Sequence, residues 1–178
     1  MHKSNNNNNL EKLIMENQSI RPLMLLGLIT SLTMIGTALF FQYVLYLEPC
    51  PLCSVQRAVV IIFAIIFLMA FLHGPLASLS KRLYGFLLTL TSIAGLAIAG
   101  RHTWLQHLPE DKIPECGPGL DFWMDNLPAV DVIQKVFQGS GECAEIVWSF
   151  LSLSIPEWSL IAFSIYLFFS LKLLFVAR

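Results

Sequence analysis

From Leu23 to Leu47 the chain carries no charged residue. Crossing a bilayer takes about 20 apolar residues as a helix, so this run can span a membrane and does little else well. It follows Arg21-Pro22, which raises the question of a signal peptide. The run far exceeds the roughly 7–15 residues of a signal's apolar core, and no small-residue cleavage site ends it. It reads as a retained first span. A second follows at 54–72, roughly 28 Å long at 1.5 Å per residue, and is stopped by His73-Gly74-Pro75. Lys81-Arg82 closes a short loop, a third span covers 83–102, and a fourth covers 158–176. With 56% hydrophobic and 13% charged residues and a mean hydropathy of +0.66, the chain departs far from the soluble balance. The fold expected is an all-α integral membrane protein. It is a single domain, 1–178, built as a four-transmembrane-helix bundle with one long extracytoplasmic loop, 103–157, between the third and fourth helices. A net charge of -1 gives no basis for nucleic-acid binding. No span places an ionisable residue near its middle, which weakens a transporter reading.

Lysines and arginines set the orientation. Lys3, Lys12 and Arg21 precede the first span, Lys81 and Arg82 separate the second from the third, and Lys172 and Arg178 close the chain. The positive-inside rule makes that side cytoplasmic, with both termini on it. The long loop, and with it all four cysteines and all four tryptophans, then faces outward. Residues 1–20, with the run Asn5 to Asn9, read as a flexible cytoplasmic tail with a short membrane-surface helix at Leu10 to Glu16. In the long loop, Val130, Ile133, Val136 and Phe137 share one helical face among many turn formers. That short helix can lie among lipid headgroups or cap the bundle.

The chemistry rests on Cys50, Cys53, Cys116 and Cys143. Cys50-Pro51-Leu52-Cys53 is a CxxC at the start of the second span. Such pairs serve redox or metal chemistry more often than decoration. The helix dipole and free N–H groups at that helix start favour a thiolate at Cys53, and Arg57, four residues on, shares its face. Arg57 taken alone reads as an interface anchor. His102, at the outward end of the third span, lies at the same depth as Arg57 and can bond a carbonyl or manage a proton. Cys116 and Cys143 sit in turn-rich, accessible surroundings, which suits thiol–disulfide exchange with a visiting protein. The loop can also swing Cys143 toward the CxxC. Two inert disulfides in an oxidising compartment are the plain alternative, and four cysteines allow three pairings. Zinc is the metal alternative; the oxidising side and the long gap between Cys53 and Cys116 argue against it, so no metal is expected.

Several motifs together resemble the disulfide bond formation protein B (DsbB) family of bacterial inner-membrane thiol:quinone oxidoreductases. They are Phe41-Gln42-Tyr43-Val44 leading to Glu48-Pro49-Cys50-Pro51-Leu52-Cys53, then Gln56-Arg57, Arg101-His102-Thr103 and the loop Cys116. Gly139-Ser140-Gly141-Glu142-Cys143-Ala144-Glu145, Trp148 and Ile155-Pro156-Glu157-Trp158 follow in the same order. Only the Asn-rich extension lacks a counterpart. The resemblance implies electron flow from a reduced DsbA-like periplasmic thiol oxidase to Cys116/Cys143, then to Cys50/Cys53, then to a quinone (ubiquinone or menaquinone). By position, Cys116 forms the mixed disulfide with the partner and Cys143 exchanges with Cys50. Cys53, Arg57 and His102 face the quinone. That a quinone is oxidising enough to regenerate a strong thiol oxidant is a property of the known family rather than something read from these residues. The resemblance also covers a paralogous branch with a dedicated thioredoxin-like partner. The vitamin K epoxide reductase family shares the parts but carries its CxxC late, opposite to the order here.

Overall fold

The computed structural model describes the backbone of residues 2–74 and 78–176 and the side chains of 21–74 and 79–175. The side chains of Lys3 and Lys12, and Pro75 and Arg178 altogether, lie outside the described residues. Four long helices dominate: α1 (His2–Tyr43), α2 (Pro51–His73), α3 (Ser78–Gln106) and, after the loop, α7 (Ile155–Val176). Each contains a segment long and apolar enough to cross a membrane: Arg21–Tyr43, Pro51–His73, Leu79–Gln106 and Ile155–Phe175.

The first helix departs from expectation at both ends. The tail expected at 1–20 is helical from His2 and continuous with the span. Propagating an existing helix adds one hydrogen bond per residue fixed, whereas starting a new one is unfavourable, so the long span carries a weak helix former outward. At the other end α1 stops at Tyr43, not Leu47. The N–H groups of Val44 and Leu45 collect on the Phe40 carbonyl and that of Leu47 on Phe41, and Tyr46 turns the chain at φ 54°. Pro49 and Pro51 cannot continue a helix and bias their predecessors to extended backbone. Apolar character therefore outlasts helical geometry by four residues.

Packing runs α1 on α2, α2 on α3 and α3 on α7. The centre is aromatic: Phe63 lies 4.6 Å from Tyr166 and 6.0 Å from Phe163 between ring centroids, and Phe67 lies 5.5 Å from Tyr166. Helix association inside lipid depends on close packing because hydrocarbon offers no hydrophobic drive. Gly95 of α3 serves that purpose, since a Cβ there would meet the Phe163 ring at 2.9 Å. The Tyr166 hydroxyl bonds with Thr30 and Ser31 of α1, at 2.8 and 3.0 Å, so α1 and α7 touch at that level.

The long loop is more structured than its turn formers suggest. A 3₁₀ turn (Glu110–Lys112) precedes α4 (Leu120–Asn126), α5 (Ala129–Gln138) and α6 (Gly141–Ala144). A small antiparallel hairpin follows, β1 (Ser149–Phe150) and β2 (Leu153–Ser154), pairing Ser149 with Ser154. The amphipathic helix expected around Val130–Phe137 is α5, with Val136 buried and Val130, Ile133 and Phe137 exposed. At the start of α7 the Glu157 carboxylate reaches back, as in one half of a capping box, and accepts from the Ser154 N–H at 2.7 Å and from its hydroxyl at 3.0 Å.

Candidate functional site: a thiol cluster beside an apolar cavity

Cys50 caps the amino end of α2 in extended conformation, and Pro51 occupies the first helical position, where its missing N–H costs nothing. This turn brings Cys53 back over Cys50. The Cys53 N–H donates to Cys50 Sγ at 3.3 Å, and the two sulfurs lie 3.0 Å apart. From α6, Cys143 enters fully buried at 0% exposure. Its sulfur, Cys50 Sγ and a ring nitrogen of His102 all lie within 4.8 Å of one another. His102 of α3 is 2% exposed; its Nε2 stands 3.7 Å from Cys50 Sγ, while its Nδ1 faces the Gln56 amide nitrogen at 3.3 Å.

Three contacts deliver Cys143 to that position. Arg101 donates from Nε to the Phe137 carbonyl and from Nη2 to the Gln138 carbonyl, both at 2.9 Å. A guanidinium there satisfies orphan carbonyls and complements the negative end of α5. Gly139 then turns the chain at φ 76°, against Leu105, where any Cβ would collide. Finally the Gly141 N–H donates to the Glu115 carbonyl at 3.3 Å, stitching the Cys143 turn to the Cys116 strand of the loop. Cys116 itself is exposed, and its sulfur lies where a Cβ on Gly141 would come within 2.9 Å of it.

The two thiols outside the spans are held protonated. Hydrogen bonding with Cys143 works to lower the Cys50 pKa, but the adjoining Cys53 sulfur and burial prevail, and it is pushed up to about 12. Hydrogen bonding to Cys50, followed by burial, holds the Cys143 thiol far above the ordinary 9.0. A second negative sulfur beside a first, away from water, is the costly state.

On the far side of Cys53 lies a cavity of about 500 Å³ between α1, α2, the hairpin and α7. Its lining includes Met34, Ala38 and Phe41 of α1, Val60 of α2, Trp148, and Trp158 and Ala162 of α7. Its polar lining comprises Arg57, Gln56, Glu48 and Cys53 with the hydroxyl residues Thr33, Thr37 and Ser159. Arg57 donates to Gln42 Oε1 at 2.6 Å and to the Ala38 carbonyl at 3.3 Å, so its guanidinium is fixed by α1. A flat apolar ring with acceptor oxygens fits this cavity by size, by polarity and by its one fixed cationic donor. A second space of about 40 Å³ is bordered by Cys50, Cys53, His102, Glu142 and Glu145.

Arg57 and Cys53 are brought together at the large cavity as their spacing suggests, and Cys50 and Cys143 meet. His102 does not join Arg57. It is absent from the lining of the large cavity and stands with Cys50 and Cys143 instead. Equal depth in a bilayer says nothing about which way a helix is rotated, and α3 turns His102 toward α2. Gln56 and Gln42, quoted above only as motif letters, are the partners that orient His102 and Arg57. Adjacent residues on a helix point about 100° apart, so Gln56 facing α3 and Arg57 facing α1 is the signal that was there to read.

The profile of the family described as Disulfide bond formation protein DsbB matches residues 20–173. Among curated relatives, Disulfide bond formation protein B of Chromohalobacter salexigens is 49% identical, over 88% of this chain and 91% of its own length. The proteins of the same name from Nitrosococcus oceani and Acinetobacter baumannii are 47% and 46% identical. They cover 82% and 84% of this chain and 85% and 88% of their own lengths.

Proposed function

This chain belongs to the disulfide bond formation protein B family, and from that premise we propose that it is a protein-dithiol:quinone oxidoreductase. The family makes it a multi-pass membrane protein of disulfide formation; the route of the electrons is our reading. A reduced DsbA-like dithiol in the periplasm attacks Cys116 of a Cys116–Cys143 disulfide. The mixed disulfide then resolves on the partner's second thiol, leaving the partner oxidised and both loop thiols reduced. Cys143 next attacks Cys50 of the Cys50–Cys53 disulfide, and Cys53 leaves as the thiolate. Cys116 attacks the resulting Cys50–Cys143 bond at Cys143, restoring the loop disulfide and leaving Cys50 and Cys53 reduced.

A membrane quinone, ubiquinone or menaquinone, supplies the terminal acceptor, taking two electrons and two protons. The residues that would hold it are Arg57, Cys53 and the apolar lining of the large cavity. Arg57, braced by Gln42 and the Ala38 carbonyl, presents donors to an acceptor oxygen and favours negative charge on the Cys53 sulfur. His102 is within reach of Cys50 to accept or return its proton. The family and the charge distribution support a bacterial inner-membrane location, with both termini cytoplasmic and the cysteines facing the periplasm.

One observation carries the reading: Cys53 borders the cavity on one side while its neighbour Cys50 meets Cys143 on the other. Static staples have no need of a sulfur in both places. The test uses purified protein in detergent, a soluble quinone and a reduced DsbA-like partner, with quinone absorbance followed over time. Turnover is expected in the parent and absent in Cys53→Ser and Cys116→Ser. Full turnover in Cys116→Ser would remove the relay.

A further inference from the structure

Cys50, Cys143 and His102, which the proposed relay also uses, together form a set of metal-ligand atoms. Three soft or borderline ligand atoms converge within 4.8 Å. A tetrahedral zinc with bonds of about 2.3 Å to sulfur and 2.0–2.1 Å to nitrogen separates its donors by roughly 3.5–3.8 Å. The Cys50 Sγ to His102 Nε2 distance of 3.7 Å already meets that requirement, and Cys143 needs only a small approach. The donors come from three elements, α2, α3 and α6, and all are buried.

We propose that the reduced protein binds one borderline-soft divalent cation, of the zinc class, through Cys50 Sγ, Cys143 Sγ and His102 Nε2. The small space bordered by Cys50 and His102 would supply water to complete the shell. Each ligating thiol gives up one proton, so M²⁺ replaces two H⁺, and the neutral imidazole and water add no charge to the bound set. Neutrality matters in a buried place, where net charge is expensive. Cys53 is not needed as a ligand and keeps its position at the large cavity. The outer shell is also in place. A metal on Nε2 leaves Nδ1 protonated, and a ligating His ordinarily donates that hydrogen to a fixed acceptor. Gln56 offers one when its amide is turned to present oxygen, an exchange that leaves its shape unchanged.

The consequence is inhibitory. A cation across Cys50 and Cys143 ties up both sulfurs between which the loop pair and the CxxC exchange, and holds them reduced. The binding rests on the placement of the donors, and its inhibitory consequence alone rests on the proposed relay. Metal binding is read without quinone or partner, so failure of one leaves the other standing.

The experiment takes the full-length reduced protein in detergent, titrated with Zn²⁺ against a chromogenic chelator. Cd²⁺ follows as a probe of thiolate-to-metal charge transfer. One metal per chain and two protons released per metal are expected, with no binding after oxidation. Cys53→Ser and Cys116→Ser should bind as the parent does, whereas Cys143→Ser and His102→Ala should weaken binding by at least about tenfold. Retained affinity in Cys143→Ser together with loss in Cys53→Ser would assign the metal to the vicinal pair and overturn the proposal. Equal binding by oxidised protein would mark an adventitious ion and do the same. Should a variant not fold, X-ray absorption on the parent decides. Two sulfurs with an imidazole nitrogen support the site, and an all-sulfur or sulfur-free shell refutes it.

Discussion

Replacing Arg101 by methionine should loosen Cys143 from Cys50 without touching either sulfur. The guanidinium makes two bonds of 2.9 Å to the last carbonyls of α5, just before the Gly139 turn that leads into α6. A hydrogen bond to a charged group contributes about 1.5–3 kcal/mol in protected surroundings. These two are exposed, so solvent screening reduces their joint worth to about 1–2 kcal/mol. Methionine keeps most of the aliphatic stem, so the loss is confined to those bonds and the guanidinium's contact with the Trp104 ring at 5.9 Å. If the clamp serves only to present Cys143, that energy appears as a lower effective concentration of the Cys143 thiol at Cys50, by roughly 5–30-fold at 1.4 kcal/mol per tenfold. The assay is an equilibrium one. In a Cys53→Ser, Cys116→Ser background only Cys50 and Cys143 remain. The fraction joined is measured against glutathione redox buffers with and without Arg101→Met. A joined fraction unchanged within about twofold would show that the Gly139 turn and the Gly141–Glu115 bond suffice, and the clamp argument would fail.

Two further outcomes follow from geometry already described. Gly95→Ala should lower the thermal stability of the detergent-solubilised protein. Overpacking against the buried Phe163 ring costs about 1–3 kcal/mol and outweighs the roughly 1 kcal/mol alanine gains in a helix; a raised Tm would refute the close contact. In the reduced protein at pH 8, alkylation read by mass spectrometry should modify exposed Cys116 at least about tenfold faster than Cys50 or Cys143, because only the thiolate reacts. A raised pKa keeps a thiol protonated over a wider pH range. The Cys50 rate should therefore climb with pH beyond 9.0 and level off only near 12. A plateau near the ordinary value would show that Cys53 and burial do not hold its proton.

The spans were legible because twenty apolar residues leave a chain few options, and the CxxC was legible because prolines and a charge break an apolar run. The helix ends were less so. Val44 to Leu47 are as apolar as the residues before them, yet the backbone turns at Tyr46 to set Cys50 at the head of α2. The hairpin after Trp148 was hidden for a plainer reason: its turn residues, Leu151 and Ser152, take φ of 53° and 64° without the glycine that normally announces such a turn. In the site, sulfur and charge could be placed by depth but not by azimuth. Arg57 lines the same cavity as Cys53 because both lie on one helix, where spacing determines the face. His102 belongs to another helix, whose rotation is set by packing of Gly95 on Phe163 and of Leu105 on the Gly139 turn. None of that registers in a single linear motif.

The hydroxyl contact of Tyr166 with Thr30 and Ser31 has a consequence for how the large cavity is filled. It joins α1 to α7 at one level, and one turn beyond it the same two helices line opposite sides of the cavity. The joined level and Phe150 of the hairpin both bound that space, so the way α1 and α7 meet sets how much of it there is. Loss of those hydroxyl contacts would let the two helices part and change the cavity without altering any residue that lines it.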